Sequence, residues 1–233
     1  YRRQRQMCIR DRTKARLYIC GLGLYEAYLD GVKIGADWLT PGFNAYHLWV
    51  QTQTYDVTEM MQSRPKELSI LAGDGWYKSR IPFEGSSVGF YGNDYSVLAE
   101  LHIEYADGCK EVLSTDESWQ VRRSNITFSG IYDGEWQDDT LPQGEVEAAA
   151  IATPLKGQLI DRLSIPVRTH EEFHPVLVPN DAGETILDIG QNLAGIFTLR
   201  VHIPKGQRVH IQAGEVLQDG HFYRDNLRTA KAE

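Results

Sequence analysis

Leu17 and Ile19 alternate with Tyr18 and Cys20, the two-residue period of a strand with one buried face. Gly21 and Gly23 interrupt the run, and the alternation then resumes. Tyr25, Ala27 and Leu29 fall on one side, with Glu26, Tyr28 and Asp30 on the other. Asp30 and Gly31 both tolerate the positive φ of a type I′ turn, which predicts a hairpin here. Val32 and Ile34 begin the return strand. This pattern assigns Tyr25, Leu29, Val32 and Ile34 to the core of a first sandwich. Gly35, Pro41 and Gly42 break the pattern, and Trp38, Phe43, Tyr46 and Trp49 crowd the loop around them.

Further along, Tyr55 and Val57 have strand character. Asp56 and Thr58 are placed to cap a short helical turn at Glu59-Met60-Met61, which Pro65 ends. Leu68, Ile70 and Leu71 start another strand. It runs into Gly73-Asp74-Gly75-Trp76-Tyr77, a tight loop at a strand end. Trp76 is either presented there for stacking on a sugar or folded down as a lid on the core. Residues 79–97 form one long connection, with Pro82, Gly85, Ser86, Ser87, Gly89 and Gly92. Loops of this length are commonly functional. After it, Leu101, Ile103 and Tyr105 alternate with Glu100, His102 and Glu104. Asp107-Gly108 turns the chain into Val112 and Leu113. His102 lies on the polar face and is expected to be solvated. Val121, the run Ile126–Ile131 and the turn Tyr132-Asp133-Gly134-Glu135-Trp136 follow.

About eight or nine short strands separated by Gly, Asp and Pro, with little helix, predict an all-β antiparallel sandwich of jelly-roll type. Residues 13–142 are assigned to it. Residues 143–169 are expected to be a linker, with no clear strand as far as about Leu163 and a short helical piece. Ile165–Thr169 and then Glu171–Val178, with their prolines, read as edge-type extended segments. Residues 170–233 are expected to begin a second β-sandwich. Strands are predicted at 185–189, 196–203 and 209–211 and again after Glu215. Pro204-Lys205-Gly206 is a type II turn candidate with Pro at the second position. Those strands are too few to bury two layers. The expectation is a truncated fragment that continues beyond Glu233.

Composition narrows the function classes. The chain has 233 residues, 42% hydrophobic and 24% charged, which is ordinary for a globular protein. A net charge of −8 argues against a nucleic-acid partner. No apolar run approaches the ~20 residues of a membrane span. The opening YRRQRQMCIRDR is rich in arginine, without strand or helix period. It resembles translated adapter sequence, so residues 1–12 are expected to be a non-native extension. Cys20 and Cys109 have no metal or disulfide spacing and are expected to be buried free thiols. That leans toward a reducing, cytoplasmic compartment.

Candidate chemistry concentrates in the loops. Trp76 and Tyr91 supply flat faces for the C–H side of a sugar ring. Asn93 and Asp94 supply donors and acceptors for its hydroxyls, or oxygens for Ca²⁺. The same Gly-Asn-Asp run is also ordinary turn chemistry. Asp133 and Glu135 have groups suited to acid–base work, but they flank a turn glycine, where solvated carboxylates commonly sit. No catalytic residue is assigned, and no cofactor is required.

Several stretches acquire meaning in combination. ARLYICGLGLYEAYLDGVKIG, then Pro41-Gly42, Tyr46, Gln53-Thr54-Tyr55-Asp56-Val57-Thr58 and Gly73-Asp74-Gly75-Trp76-Tyr77, resembles the N-terminal β-sandwich of bacterial α-L-rhamnosidases of glycoside hydrolase family 78. So do Tyr105–Gly108 with Asp116–Trp119, and Tyr132-Asp133-Gly134-Glu135. Leu187–Asn192, Gly195, Gly206, Glu215-Val216-Leu217, Gly220 and Asn226-Leu227-Arg228 look like the start of the next domain of those enzymes. One departure is Trp136-Gln137-Asp138-Asp139, where the family pattern has a Tyr-Asp-Ala-Arg-like segment. The resemblance implies hydrolysis of terminal α-L-rhamnose from rhamnose-containing glycosides by an inverting acid–base mechanism. Its carboxylates would lie in a C-terminal catalytic domain beyond this chain, which would be that domain's partner. Some family members bind rhamnose through Ca²⁺ in this sandwich. That implies Asn44, Asn93 and Asp94 as metal- and sugar-binding positions, with Trp76 and Tyr91 stacking. The alternative is a free-standing, lectin-like carbohydrate-binding module.

Overall fold

A computed structural model describes residues 11–81, 88–228 and 230–233. Residues 1–10 of the expected extension, and Pro82, Gly85, Ser86 and Ser87 of the long connection, lie outside the described residues. The chain divides into two compact units, residues 11–131 with 135–168, and residues 132–134 with 169–233.

The first unit contains β1 (Arg12–Leu22), β2 (Leu24–Leu29), β3 (Val32–Lys33), β4 (Trp49–Asp56), α1 (Thr58–Gln62), β5 (Leu68–Gly73), α2 (Gly75–Lys78), β6 (Ser96–Tyr105) and β7 (Lys110–Ser114). Shorter strands follow: β8 (Gln120–Val121), β9 (Ile126–Gly130), β10 (Gly134–Gln137), β11 (Glu147–Ala148) and β12 (Gln158–Asp161). A five-stranded sheet, in the order β12-β4-β1-β6-β7, and a three-stranded sheet, β3-β2-β5, enclose the core. The two-residue period explains which residues enter it. Ala15, Leu17 and Ile19 of β1 stand opposite Ile103, Leu101 and Ala99 of β6, and all six are buried. Tyr25, Ala27 and Leu29 of β2 close over them, with Ile34, Val57 and Met61 at the margins. Burying each large apolar side chain contributes about 1.5–3 kcal/mol. Sheet on sheet with one face of each buried is the sandwich expected from the pattern.

Both predicted Asp-Gly hairpins form. Asp30 and Gly31 have φ of 47° and 81°, and Leu29 pairs with Val32 across them. At Asp107-Gly108 only the glycine has positive φ, at 83°. There the amide of Gly108 donates to the Tyr105 carbonyl, a wider turn than the two-residue loop. Val32 is 61% exposed rather than core, because β3 lasts only two residues and Ile34 alone turns inward. Cys20 is buried, and burial pushes its thiol up to about 11, the backbone at Leu98 opposing. Cys109 is exposed, contrary to expectation, because it sits in the turn before β7 rather than within a strand.

Two segments are more ordered than their sequence signals. Arg12, placed in the non-native extension, starts β1, and its guanidinium donates to the Met61 carbonyl at 2.8 Å. Gln158–Asp161, inside the expected linker, pairs parallel with β4, from Gln158 on Trp49 to Asp161 on Thr52. The next residues are anchored as well. Trp38 donates its amide to the Val167 carbonyl at 2.8 Å. Arg162 and Arg168 both reach the buried Asp37, at 2.5 and 2.7 Å.

The second unit has β13 (Val176–Val178) antiparallel to β14 (Ile186–Asp188), and β15 (Val216–Gln218) antiparallel to β16 (His221–Tyr223). Asp219-Gly220 is a second two-residue turn with positive φ at both positions, 51° and 81°. Residues 196–203 and 209–211 are not strands, although their pattern alternates. Phe197, Leu199, Val201 and Val209 are half or more exposed, or nearly so, and among the described residues no strand pairs with them. An apolar alternation becomes a strand only when a partner satisfies its backbone. The turn at Pro204 forms with Pro first rather than second. Gln207 donates to the Pro204 carbonyl, and Gly206 supplies φ of 90° at the third position. Among the described residues no helix is long and apolar enough to cross a membrane.

Candidate functional site

The outer face of the five-stranded sheet carries a second, aromatic core. Cys20 of β1 and Val50 of β4 point away from the sandwich interior, because they occupy the other phase of the alternation. Tyr46, 3% exposed, lies on both. Tyr77 meets the Tyr46 ring edge-on at 5.0 Å, and Tyr91 tilts against it at the same distance. Phe43 bridges Trp76 and Tyr91, with centroids at 6.2 and 6.4 Å. His47 stacks nearly parallel on Tyr91 at 6.0 Å, and Phe90 stands perpendicular to it at 4.8 Å. Trp76 is half-buried and packs on this floor, so it serves as a lid on the cluster. Phe43 and Phe90 are more than half exposed and form the rim.

Three pieces of chain position these rings. α2 follows β5 directly, where Gly75 adopts φ of 52°, and a Cβ there would meet Leu24 at 2.7 Å. The loop carrying Phe90 and Tyr91 is clipped to α2. Gly89 donates to the Lys78 carbonyl at 2.8 Å, and the Tyr95 hydroxyl donates to the Asp74 carboxylate. Lys78 sits 3.7 Å from that carboxylate and 4.3 Å above the Tyr95 ring. The third piece is the loop before β4, held at Thr40. The amide of Tyr25 donates to the Thr40 carbonyl, and the Thr40 hydroxyl returns a bond to Tyr25.

Electrostatically the site is poised to stay neutral at its floor. Burial pushes the Tyr46 hydroxyl up to about 12, the Asn44 side chain opposing, and that hydroxyl has no well-formed hydrogen bond. Tyr77 is raised by burial and then by the charge of Asp94.

The expected site residues separate into three groups. Trp76 and Tyr91 join one aromatic cluster through Phe43. Asn93 and Asp94 sit exposed on the adjoining loop. Asn44 is fully buried, and its side chain is spent internally. Its Oδ1 accepts from the Gln51 amide and from Gln51 Nε2, at 3.0 and 3.2 Å, and its Nδ2 donates to the Gly42 carbonyl at 3.1 Å. Among the described residues no group of three or more His, Cys, Asp or Glu converges as a metal site. His47 was not anticipated. Its only signal was its place in an aromatic-rich loop.

The chain matches the α-L-rhamnosidase N-terminal domain model over residues 10–171. It matches the bacterial α-L-rhamnosidase concanavalin-like domain model over residues 179–233. It is 34% identical to an α-L-rhamnosidase of Streptomyces avermitilis, over 94% of this chain and 22% of that protein. It is 32% identical to one from Alteromonas sp. (strain LOR), over 93% of this chain and 25% of that protein. The chain thus spans about a quarter of these relatives. Among solved structures, it superposes on the S. avermitilis enzyme complexed with L-rhamnose with a TM-score of 0.80, covering 96% of this chain and 23% of that one at 32% identity. An Aspergillus terreus α-L-rhamnosidase gives 0.78 at 31% identity, covering 96% of this chain and 27% of that one. With its family model spanning most of its length, the chain belongs to the α-L-rhamnosidase N-terminal domain family.

Proposed function

We propose that this chain is the accessory β-sandwich portion of an α-L-rhamnosidase that removes terminal α-L-rhamnose from glycosides. The observation that carries the proposal is similarity along nearly the whole chain, in sequence and in fold, to proteins named as α-L-rhamnosidases. The general acid and general base belong to a domain outside these residues, set apart on opposite faces of the sugar as an inverting reaction requires. The role of the first unit is to present the aromatic site. Trp76, Tyr91 and the rim of Phe43 and Phe90 offer apolar faces to a sugar ring. Asn93 and Asp94 beside them offer hydrogen bonds to its hydroxyls, or oxygens to a Ca²⁺ that bridges to the sugar.

Two measurements test this. The protein extended to the length of its relatives is expected to hydrolyse a chromogenic α-L-rhamnoside, whereas the 233-residue chain is not. Loss of the first result sinks the enzyme assignment. Titration calorimetry of the chain with L-rhamnose, with and without Ca²⁺, is expected to give heat that Tyr91→Ala and Asp94→Ala diminish. No heat in either condition reduces the sandwich to a scaffold.

A further inference from the structure

The aromatic lid covers only one end of the outer face of the five-stranded sheet. At the other end Lys14, Arg16, Tyr18, His102 and Glu104 line an open hollow of about 160 Å3. Lys14, Arg16 and Tyr18 occupy alternate positions of β1, so one pleat puts all three side chains on this face. β6 completes it in register: Glu104 opposite Lys14, His102 opposite Arg16 and Glu100 opposite Tyr18. The His102 ring stands edge-on to Tyr18, with centroids 5.0 Å apart.

The charges here are unequally committed. Glu100 is bound to His102 Nε2 at 2.8 Å, and Glu104 to Lys110 at 3.4 Å. Asp56, opposite Arg16 on β4, accepts from the Thr58 amide and hydroxyl at 3.0 and 2.6 Å. Those bonds lower the Asp56 carboxyl, and the charges of Arg16 and Lys14 help lower it. The charged ends of both cations nonetheless have no hydrogen-bond or close ion-pair partner among the described residues. Two cations two residues apart on a strand sit about 7 Å from each other, close enough to share one anion. The guanidinium fork is matched in shape to a carboxylate or sulfate, and an aromatic wall stands next to it.

We propose that this hollow is a subsite for an acidic sugar, one bearing a carboxylate or a sulfate ester. Arg16 and Lys14 take the anionic group, and the Tyr18 ring lies against the C–H face. The anionic class comes from the geometry of this face, and the assignment to a sugar rests on the rhamnosidase function proposed above. The subsite lies apart from the aromatic cluster of Trp76 and Tyr91 and shares no residue with it.

Calorimetry of the 233-residue chain with D-glucuronate, a sulfated monosaccharide, inorganic sulfate and L-rhamnose tests the proposal. Glucuronate or the sulfated sugar is expected to bind more tightly than inorganic sulfate. That binding should weaken about ten-fold in Lys14→Ala/Arg16→Ala, the size of two exposed ion pairs. It should also weaken with rising salt, while the response to L-rhamnose stays unchanged. Amide chemical-shift changes at Lys14, Arg16 and His102 locate the ligand independently of the variant. Equal binding of inorganic sulfate overturns the sugar assignment. Absent binding, or shifts confined to other residues, overturns the subsite. Neither result touches hydrolysis by the extended protein, so the two proposals fail separately.

Discussion

Asn44 shows how a residue type suited to ligand binding can be consumed by the fold. All of its side-chain bonds are internal, and they start a chain of buried contacts. Gln51, which donates to Asn44, accepts in turn from the amides of Leu163 and Ser164 at 2.7 and 2.8 Å. Asn44→Ala strips the Gln51 amides of their acceptor and is expected to cost about 2 kcal/mol, read as a lower urea midpoint. A ligand-only role for Asn44 predicts an unchanged midpoint and is sunk by that shift. Asp37 is a second buried polar residue with a structural task. Burial alone would raise its carboxyl, but hydrogen bonds from Arg162 and Arg168, with their charges, hold it below its ordinary value. Its stabilisation is therefore fully present above the ordinary aspartate value of 3.8 and is lost as pH falls through the lower folded-state value. Asp37→Asn is expected to lose about 2 kcal/mol at neutral pH, held down because Arg168 is half exposed. The variant should also show a shallower acid limb in a pH series of urea midpoints. An identical limb in both proteins would remove Asp37 from the account.

At the scale of elements, hairpins were legible and edge pairings were not. Asp30-Gly31 announces its turn because positive φ is a local demand that few residues meet. Asp30 goes further, since its Oδ1 also accepts the amides of Lys66 and Glu67, both at 2.9 Å, and so ties β5 to β2. β12 gave no such signal. Its pairing rests on contact with β4, more than a hundred residues earlier in the chain, and Gly157 just before it lies tight against the backbone leading into β4. A Cβ on Gly157 would stand 2.8–2.9 Å from backbone atoms of Tyr46, Leu48 and Trp49, with no flexible side chain to yield. Gly157→Ala is expected to detach β12 from β4 while leaving the central pairing of β1 with β6 intact. Hydrogen exchange checks this. The amide of Gln158, which donates to the Leu48 carbonyl at 2.8 Å, should exchange faster, whereas Leu17 and Leu101 keep their protection. Faster exchange throughout would mean that the glycine supports the whole sheet.

Over the whole chain, the two units differ in how much they bury. Among the described residues, the apolar ones that are fully or nearly buried lie in the first unit, except Ile186. Val176, Leu177, Leu187, Ile196 and Phe197 of the second unit are all more than half exposed. Hydrophobic stabilisation scales with area removed from water, so residues 11–168 are expected to unfold cooperatively on their own. Residues 169–233 are expected to show no cooperative transition. A sharp two-state melt of the second segment alone would contradict this.

The alternation of apolar and polar residues, with the Asp-Gly turns, determined by itself that the chain is β and which face of β1, β2 and β6 is buried. Those properties are local, since period and turn chemistry need only neighbouring residues. The same alternation at 196–203 and 209–211 produced no strands, because a strand exists only with a partner, and pairing is non-local. Tertiary structure alone decided that Asn44 faces inward, that Gln158–Asp161 joins the large sheet, and that aromatics from three separate segments converge on Tyr46 and Tyr91. Each depends on residues far apart in the chain, whose approach is set by the packing of the two sheets rather than by any pattern within one stretch.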